Sequence, residues 1–237
     1  MIKKLFQKIH SGFFPRTDSK IPEVINRVMA DELTFLDHKP LLELHEAVRE
    51  CEKAGIEGIL IEAGCAAGGS AIVMASAKSK GRSLHLHDVF GMIPEPSEKD
   101  GPDVHERYQV IRSGQAEGTE TKPYYGYRPD LLKEVKASFR RYGLHPEEHK
   151  ISLVPGLFAD TINGTEKVAL AHLDGDWYES VMVCLERIGP RLSSGGRLII
   201  DDYDAWSGCR RAVDDYLRER EGLFFIERRS RLHLIRF

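Results

Sequence analysis

The chain has 237 residues, 41% hydrophobic and 30% charged, which is enough to bury one core and makes a single domain the expectation. Lys and Arg total 34 against 37 Asp and Glu, and a formal charge of -3 gives no overall basic field for nucleic acid or an anionic membrane. No apolar run approaches the ~20 residues of a membrane-spanning helix, so a soluble protein is expected.

At the N-terminus, Ile2, Leu5, Phe6 and Ile9 recur at helical spacing, and a polar stretch follows from Ser11 to about Pro22. Lys3, Lys4 and Lys8 interrupt the apolar residues too closely for a secretory signal. Residues 1–39 therefore read as an amphipathic arm and cap, suited to packing or to homo-oligomer contact. The main domain is expected over residues 40–237. Pro40 to Ala54 reads as a helix, with Leu41, Leu42, Leu44, His45 and Val48 inward and Pro40 in its first turn. A buried strand Gly58 to Glu62 then enters the glycine-rich turn 63–69, and a helix follows from Ser70 to Lys78.

The alternation continues with strand Leu84 to Asp88, helix Leu131 to Tyr142, strand Ile151 to Val154 and short helix Leu157 to Ile162. Next come strand Val168 to Leu173, helix Tyr178 to Leu192, strand Arg197 to Asp201, helix Gly208 to Glu221, and a terminal pair, Leu223 to Glu227 and Leu232 to Phe237. Strands alternating with helices imply an α/β, doubly wound, mostly parallel sheet, closed by a C-terminal antiparallel hairpin. Between about 90 and 129 the rhythm breaks: five prolines and five glycines accompany one helix, near Val104 to Ser113, with Tyr124, Tyr125 and Tyr127 at the far end. A segment of that length reads as a lid over the substrate.

In such a sheet ligands bind beyond the carboxyl ends of the strands. Glu62-Ala63-Gly64-Cys65-Ala66-Ala67-Gly68-Gly69-Ser70 allows close backbone approach at a helix N-terminus, yet it is neither the dinucleotide G-x-G-x-x-G nor a Gly-Lys-Ser/Thr loop. Asp88, ending the next strand, can accept hydrogen bonds from ribose hydroxyls, which fits an adenosine cofactor without choosing between NAD and S-adenosylmethionine (SAM). Asp174-Gly175-Asp176 and Asp201-Asp202 end two further strands. Four carboxylates at one edge are costly unless a cation or raised pKa values relieve them. An oxygen-rich set suits Mg²⁺, and a salt-bridged acid cluster is the alternative.

His85, His87 and His172 lie on these strands and read as packing or hydrogen-bonding residues rather than as bases or ligands. Arg228-Arg229-Ser230-Arg231 reads as an exposed hairpin turn rather than an anion site. The isolated cysteines Cys51, Cys65, Cys184 and Cys209 have neither zinc-like nor disulfide-framework spacing, and a reducing cytoplasm suits them.

The segments 173–180 (LDGDWYES), 194–203 (SGGRLIIDDY) and 208–214 (GCRRAVD) together resemble the macrocin O-methyltransferase family, and the glycine loop, residues 88–92 and residues 154–161 fit as well. The resemblance spans roughly Gly58 to Tyr216. It implies a metal-dependent, SAM-using enzyme that methylates a hydroxyl of a sugar or glycoside. It also implies Asp174, Asp201 and Asp202 as Mg²⁺ ligands and Asp176 as general base, with SAM held at Glu62, Gly64, Cys65, Gly68, Ser70 and Asp88. Trp177, Tyr178, Tyr124 and Tyr125 are candidate acceptor contacts. Trp177 is bulkier than the family usually has there and reads equally as acceptor wall or core. A catechol-type O-methyltransferase would use the same acids, and a non-catalytic SAM-binding domain would keep the fold. A nicotinamide dehydrogenase lacks both its glycine motif and a Tyr-x-x-x-Lys pair.

Overall fold

A computed structural model describes residues 22–237, so the arm expected around Ile2 to Ile9 lies outside the described residues. Helix α1 (Glu23–Ala30) was not expected from the sequence; it is two turns long and buries only Ile25 and Val28. Helix α2 (His38–Lys53) buries Pro40, Leu41, Leu44, Ala47, Val48 and Cys51. Leu42 and His45, expected inward, are only half-buried, because the stripe through residues 41, 44 and 48 turns them to its flank.

The strands are β1 (Ile59–Ala63), β2 (Leu84–Asp88), β3 (Ile151–Pro155), β4 (Val168–Leu173), β5 (Leu192–Ile200), β6 (Phe224–Arg228) and β7 (Leu232–Arg236). They form one sheet in the order β3-β2-β1-β4-β5-β7-β6. β1 to β5 pair in parallel, and β7 pairs antiparallel with both β5 and β6. This is the expected doubly wound sheet with a closing hairpin. Successive strand residues feed opposite faces, as Leu60 and Ile61, Leu170 and Ala171, or Ile199 and Ile200 do. One core lies under α1, α2, α3 (Gly69–Ala77) and α5 (Leu131–Arg141), and the other under α8 (Tyr178–Ile188) and α9 (Ser207–Arg218).

Helix α8 was expected to reach Leu192 but ends at Ile188, where Gly189–Arg191 tightens into a 3-10 turn around Pro190, which has no N–H to continue the helix. β5 accordingly starts at Leu192, five residues before the expected Arg197, and a register irregularity against β4 absorbs the extra residues. Two helices complete the β3 region: α6 (Pro146–His149), not expected, and α7 (Phe158–Thr161).

The 90–129 region contains α4 (Pro102–Arg112) and a 3-10 turn at Tyr125–Tyr127. It has its own small core of Ile93, Val104, Ile111, Ala116, Tyr124 and Trp177. Glu32 accepts hydrogen bonds from Thr119 (2.6 Å) and Thr121 (3.0 Å), tying this region to the chain just beyond α1.

The basic run is exposed at Arg228, but residues 229–231 are half-buried. Arg229 donates to Glu50 (3.1 Å), the Ser230 N–H to Glu43 (2.7 Å) and Arg231 to Asp201 (2.7 Å). Pairing of Ile200 with Leu232 draws the hairpin turn back onto the end of β5, where the acids lie.

Candidate active site

The parallel ladder runs one residue beyond each strand and brings the key positions level. Asp174 N–H donates to Ala63 O (2.9 Å), Asp201 N–H to Leu173 O (2.9 Å) and Gly64 N–H to His87 O (2.8 Å). Gly64 has φ +89, and a Cβ there would lie 1.8 Å from the Asp174 carbonyl oxygen, so the glycine loop packs directly on the first acid of the cluster. Gly68, also at φ +89, turns the chain into α3, whose N-terminal residues Gly69 and Ser70 are buried.

Asp88 fastens this loop. Its Oδ2 accepts from the N–H groups of Cys65 (2.8 Å) and Ala66 (2.9 Å), and its Oδ1 from Phe90 (2.6 Å). Burial raises its pKa, against the pull of those N–H groups. A carboxylate has about four lone-pair sites, so about one is left over. Ala66 (φ +44), Phe90 (φ +48) and Asp176 (φ +53) line the crevice in the left-handed region, a concentration of backbone strain typical of ligand sites.

Oxygens of Asp174, Asp176 and Asp202 lie within 4.8 Å of one another. Asp202 Oδ2 is buried with no hydrogen-bond partner. Burial, then the charges of Asp201 and Asp202, push Asp174 well above the carboxylate range. Burial, then Asp176 and Asp201, do the same to Asp202. Asp176 is pushed up to about 6 by burial and Asp201, with the Trp206 indole and the Arg107 guanidinium pulling it back. Asp201 differs: burial raises it, but His172 and Arg231 outweigh that and hold it below its ordinary value. Of the three expected ligands, then, Asp174 and Asp202 meet in the cluster together with Asp176. Asp201 stands beside them with Oδ1 turned to Arg231 (2.7 Å) and His172 Nε2 (3.4 Å). The donor set and the orphaned Asp202 oxygen fit a hard divalent cation.

His172 is the hydrogen-bonding residue it was expected to be. Its Nδ1 lies 2.9 Å from Glu62 Oε1, between the start of the glycine loop and the acids. Glu62 Oε2 is buried and unpartnered.

The aromatic candidates divide. Tyr124 and Tyr125 pack ring to ring at 4.4 Å, and burial followed by the Asp176 charge raises the Tyr125 hydroxyl, with Asp88 adding to it. Tyr125 is thus within electrostatic reach of both Asp176 and Asp88. Trp177 is 2% exposed; its Nε1 donates to Pro94 O (2.9 Å) and its ring meets Trp206 edge-on at 5.8 Å. Of the two readings of Trp177, core is the one the packing matches. Tyr178 is not brought to the cluster: its hydroxyl donates to Asp215 (3.1 Å) and its ring lies under Lys99. Trp206, Arg107 and Arg231 were not picked out from the sequence as site residues. Only the position of Trp206, four residues after Asp202, hinted at its place.

A glycine loop after β1, an acid ending β2 and a carboxylate cluster across the ends of β4 and β5, on a seven-stranded sheet with an antiparallel β7, define a Rossmann-like SAM-dependent O-methyltransferase. The sequence model of the macrocin-O-methyltransferase (TylF) family matches residues 29–224, and the chain belongs to that family. The 8-demethyl-8-(2,3-dimethoxy-alpha-L-rhamnosyl)-tetracenomycin-C 4'-O-methyltransferase of Streptomyces olivaceus is 38% identical over 196 residues, 80% of this chain and 69% of that one. The mycinamicin III 3''-O-methyltransferase of Micromonospora griseorubida is 29% identical over 201 residues, 80% and 72% of the two chains. Among solved structures, the O-methyltransferase NovP superposes with a TM-score of 0.72 at 26% identity, covering 86% of this chain and 82% of its own. No helix among the described residues is long and apolar enough to cross a membrane.

Proposed function

We propose that the protein transfers the methyl group of SAM to a hydroxyl of a sugar on a glycosylated small molecule, with Mg²⁺ held by Asp174, Asp201 and Asp202. The carrying observation is the packed carboxylate cluster with its orphaned Asp202 oxygen, directly against the glycine loop. The relatives support the sugar: one is named for a rhamnosyl-bearing tetracenomycin, one for mycinamicin III and one for demethyldecarbamoylnovobiocin.

In this reading Gly64, Cys65, Gly68 and Ser70 shape the floor under SAM. Glu62 offers its free oxygen, and Asp88 one remaining lone pair, to the cofactor's polar groups. The bound cation would supply Lewis-acid polarisation of an acceptor oxygen. Asp176, whose carboxyl lies in the same cluster, accepts the hydroxyl proton as the carbon–sulfur bond breaks and the carbon–oxygen bond forms. Residues 90–129 act as the lid, with Tyr124 and Tyr125 excluding water and Trp177 anchoring the lid through Pro94. A cytoplasmic setting suits the four free, buried cysteines.

The test is a methyl-transfer assay with SAM over a panel of rhamnosides, other glycosides and catechols, with Mg²⁺ or with a chelator. Turnover of a glycoside that the chelator abolishes is the expected result. Turnover of catechols alone would refute the sugar acceptor, and chelator-resistant turnover would refute the cation.

A further inference from the structure

We propose that Arg231, on the C-terminal hairpin, is a positioning residue for methyl transfer: it holds Asp201 by one oxygen so that the other is presented to the cation. This rests on the Mg²⁺ reading above. Arg231 Nε donates to Asp201 Oδ1 (2.7 Å), and the same oxygen faces His172 Nε2 (3.4 Å). His172 in turn lies 2.9 Å from Glu62 through Nδ1. Glu62, His172, Asp201 and Arg231 thus make a connected polar row across β1, β4 and the ends of β5 and β7. The register sets it: Glu62 pairs with His172, His172 with Ile199, and Ile200 with Leu232.

The row solves a problem the acid cluster creates. Four neighbouring carboxylates repel, and without a fixed cation Asp201 would swing toward water. A guanidinium is always charged and offers donors in a rigid fork, so it fixes a carboxylate in direction as well as in charge. Arg231 is itself fixed, because Ser230 N–H donates to Glu43 (2.7 Å) and Arg229 to Glu50 (3.1 Å), pinning the hairpin turn to α2. Both bonds fall on Oδ1, which leaves Oδ2 as the oxygen that would turn toward Asp174, Asp176 and Asp202 when a cation is held there.

The experiment is Mg²⁺ titration by calorimetry of the full chain saturated with S-adenosylhomocysteine, comparing wild type, Arg231→Met and Arg231→Lys. Removing a partner that orients a ligand weakens metal binding by about 10- to 100-fold, which is the expectation for Arg231→Met, with Lys recovering most of it. S-adenosylhomocysteine affinity and the acceptor KM stay at wild-type values, whereas the Mg²⁺ concentration for half-maximal turnover rises. Unchanged or tighter Mg²⁺ binding in Arg231→Met overturns the proposal, since loss of positive charge alone would tighten it. If Arg231→Met does not fold, Arg231→Gln, which keeps polarity without the charge or the fork, takes its place: Mg²⁺ binding weaker by about 10-fold or more at unchanged S-adenosylhomocysteine affinity supports the role, and unchanged or tighter binding overturns it. A wild-type chain that binds no Mg²⁺ sinks the cation reading itself, a result distinct from either.

Discussion

Replacing Asp176 by Asn should stabilise the metal-free protein while disabling it. In the folded chain the Asp176 carboxyl is raised from 3.8 to about 6, chiefly by burial and then by Asp201. A carboxyl raised on folding is at no disadvantage below its unfolded value, and it loses stability as pH climbs through the folded one. The window here is therefore about pH 4 to 6. At about 1.4 kcal/mol per pH unit, the full loss at pH 7.5 is roughly 3 kcal/mol. Asn carries no charge, still offers an oxygen to Trp206, and tolerates the φ of +53 better than most residues. Urea unfolding in chelator should thus show Asp176→Asn more stable by up to roughly 3 kcal/mol at pH 7.5, with a melting temperature higher by about 6–12 °C. Near pH 4 the gap should shrink to about 1 kcal/mol or less. Methyl transfer should fall by about 10²-fold or more with SAM affinity intact. A variant less stable than wild type at pH 7.5, or one whose advantage is the same at both pH values, would refute the electrostatic reasoning; unchanged turnover would remove Asp176 from the base role.

Three further outcomes follow from the same geometry. Gly64→Ala puts a Cβ 1.8 Å from the Asp174 carbonyl at φ +89, so urea unfolding should show a loss above about 2 kcal/mol and S-adenosylhomocysteine binding should weaken sharply. Asp202→Asn removes the charge of the orphaned oxygen; Mg²⁺ affinity by calorimetry should drop by roughly 100-fold or more, while S-adenosylhomocysteine still binds. Trp177→Phe leaves Pro94 O without its donor, at a cost of about 1–3 kcal/mol in unfolding experiments, and should raise the acceptor KM with the SAM KM unmoved.

Local sequence pattern is enough to predict the sheet and its ligand edge. Short apolar runs that alternate with helical stripes leave few topologies, and in a parallel sheet each residue after a strand falls at the same edge, so Glu62, Asp88, Asp174 and Asp201 could be placed together by counting alone. It did not show α1, whose two turns bury too few residues to leave a stripe, nor the early start of β5, where Gly195 and Gly196 look like a turn until a partner strand is present. Side-chain direction was also beyond it. Adjacent Asp201 and Asp202 carry the same chemistry, yet one is drawn to Arg231 and His172 and the other faces Asp174 and Asp176. Trp177 and Tyr178 sit beside the acids in sequence but point to Pro94 and Asp215. Arg107 and Trp206, distant from Asp176 in the chain, act on it across space. Periodicity records which face of an element is apolar, because burial repeats with the backbone's own period. Which charge meets which is set once, by the register of strands far apart in sequence, and only the assembled sheet contains it.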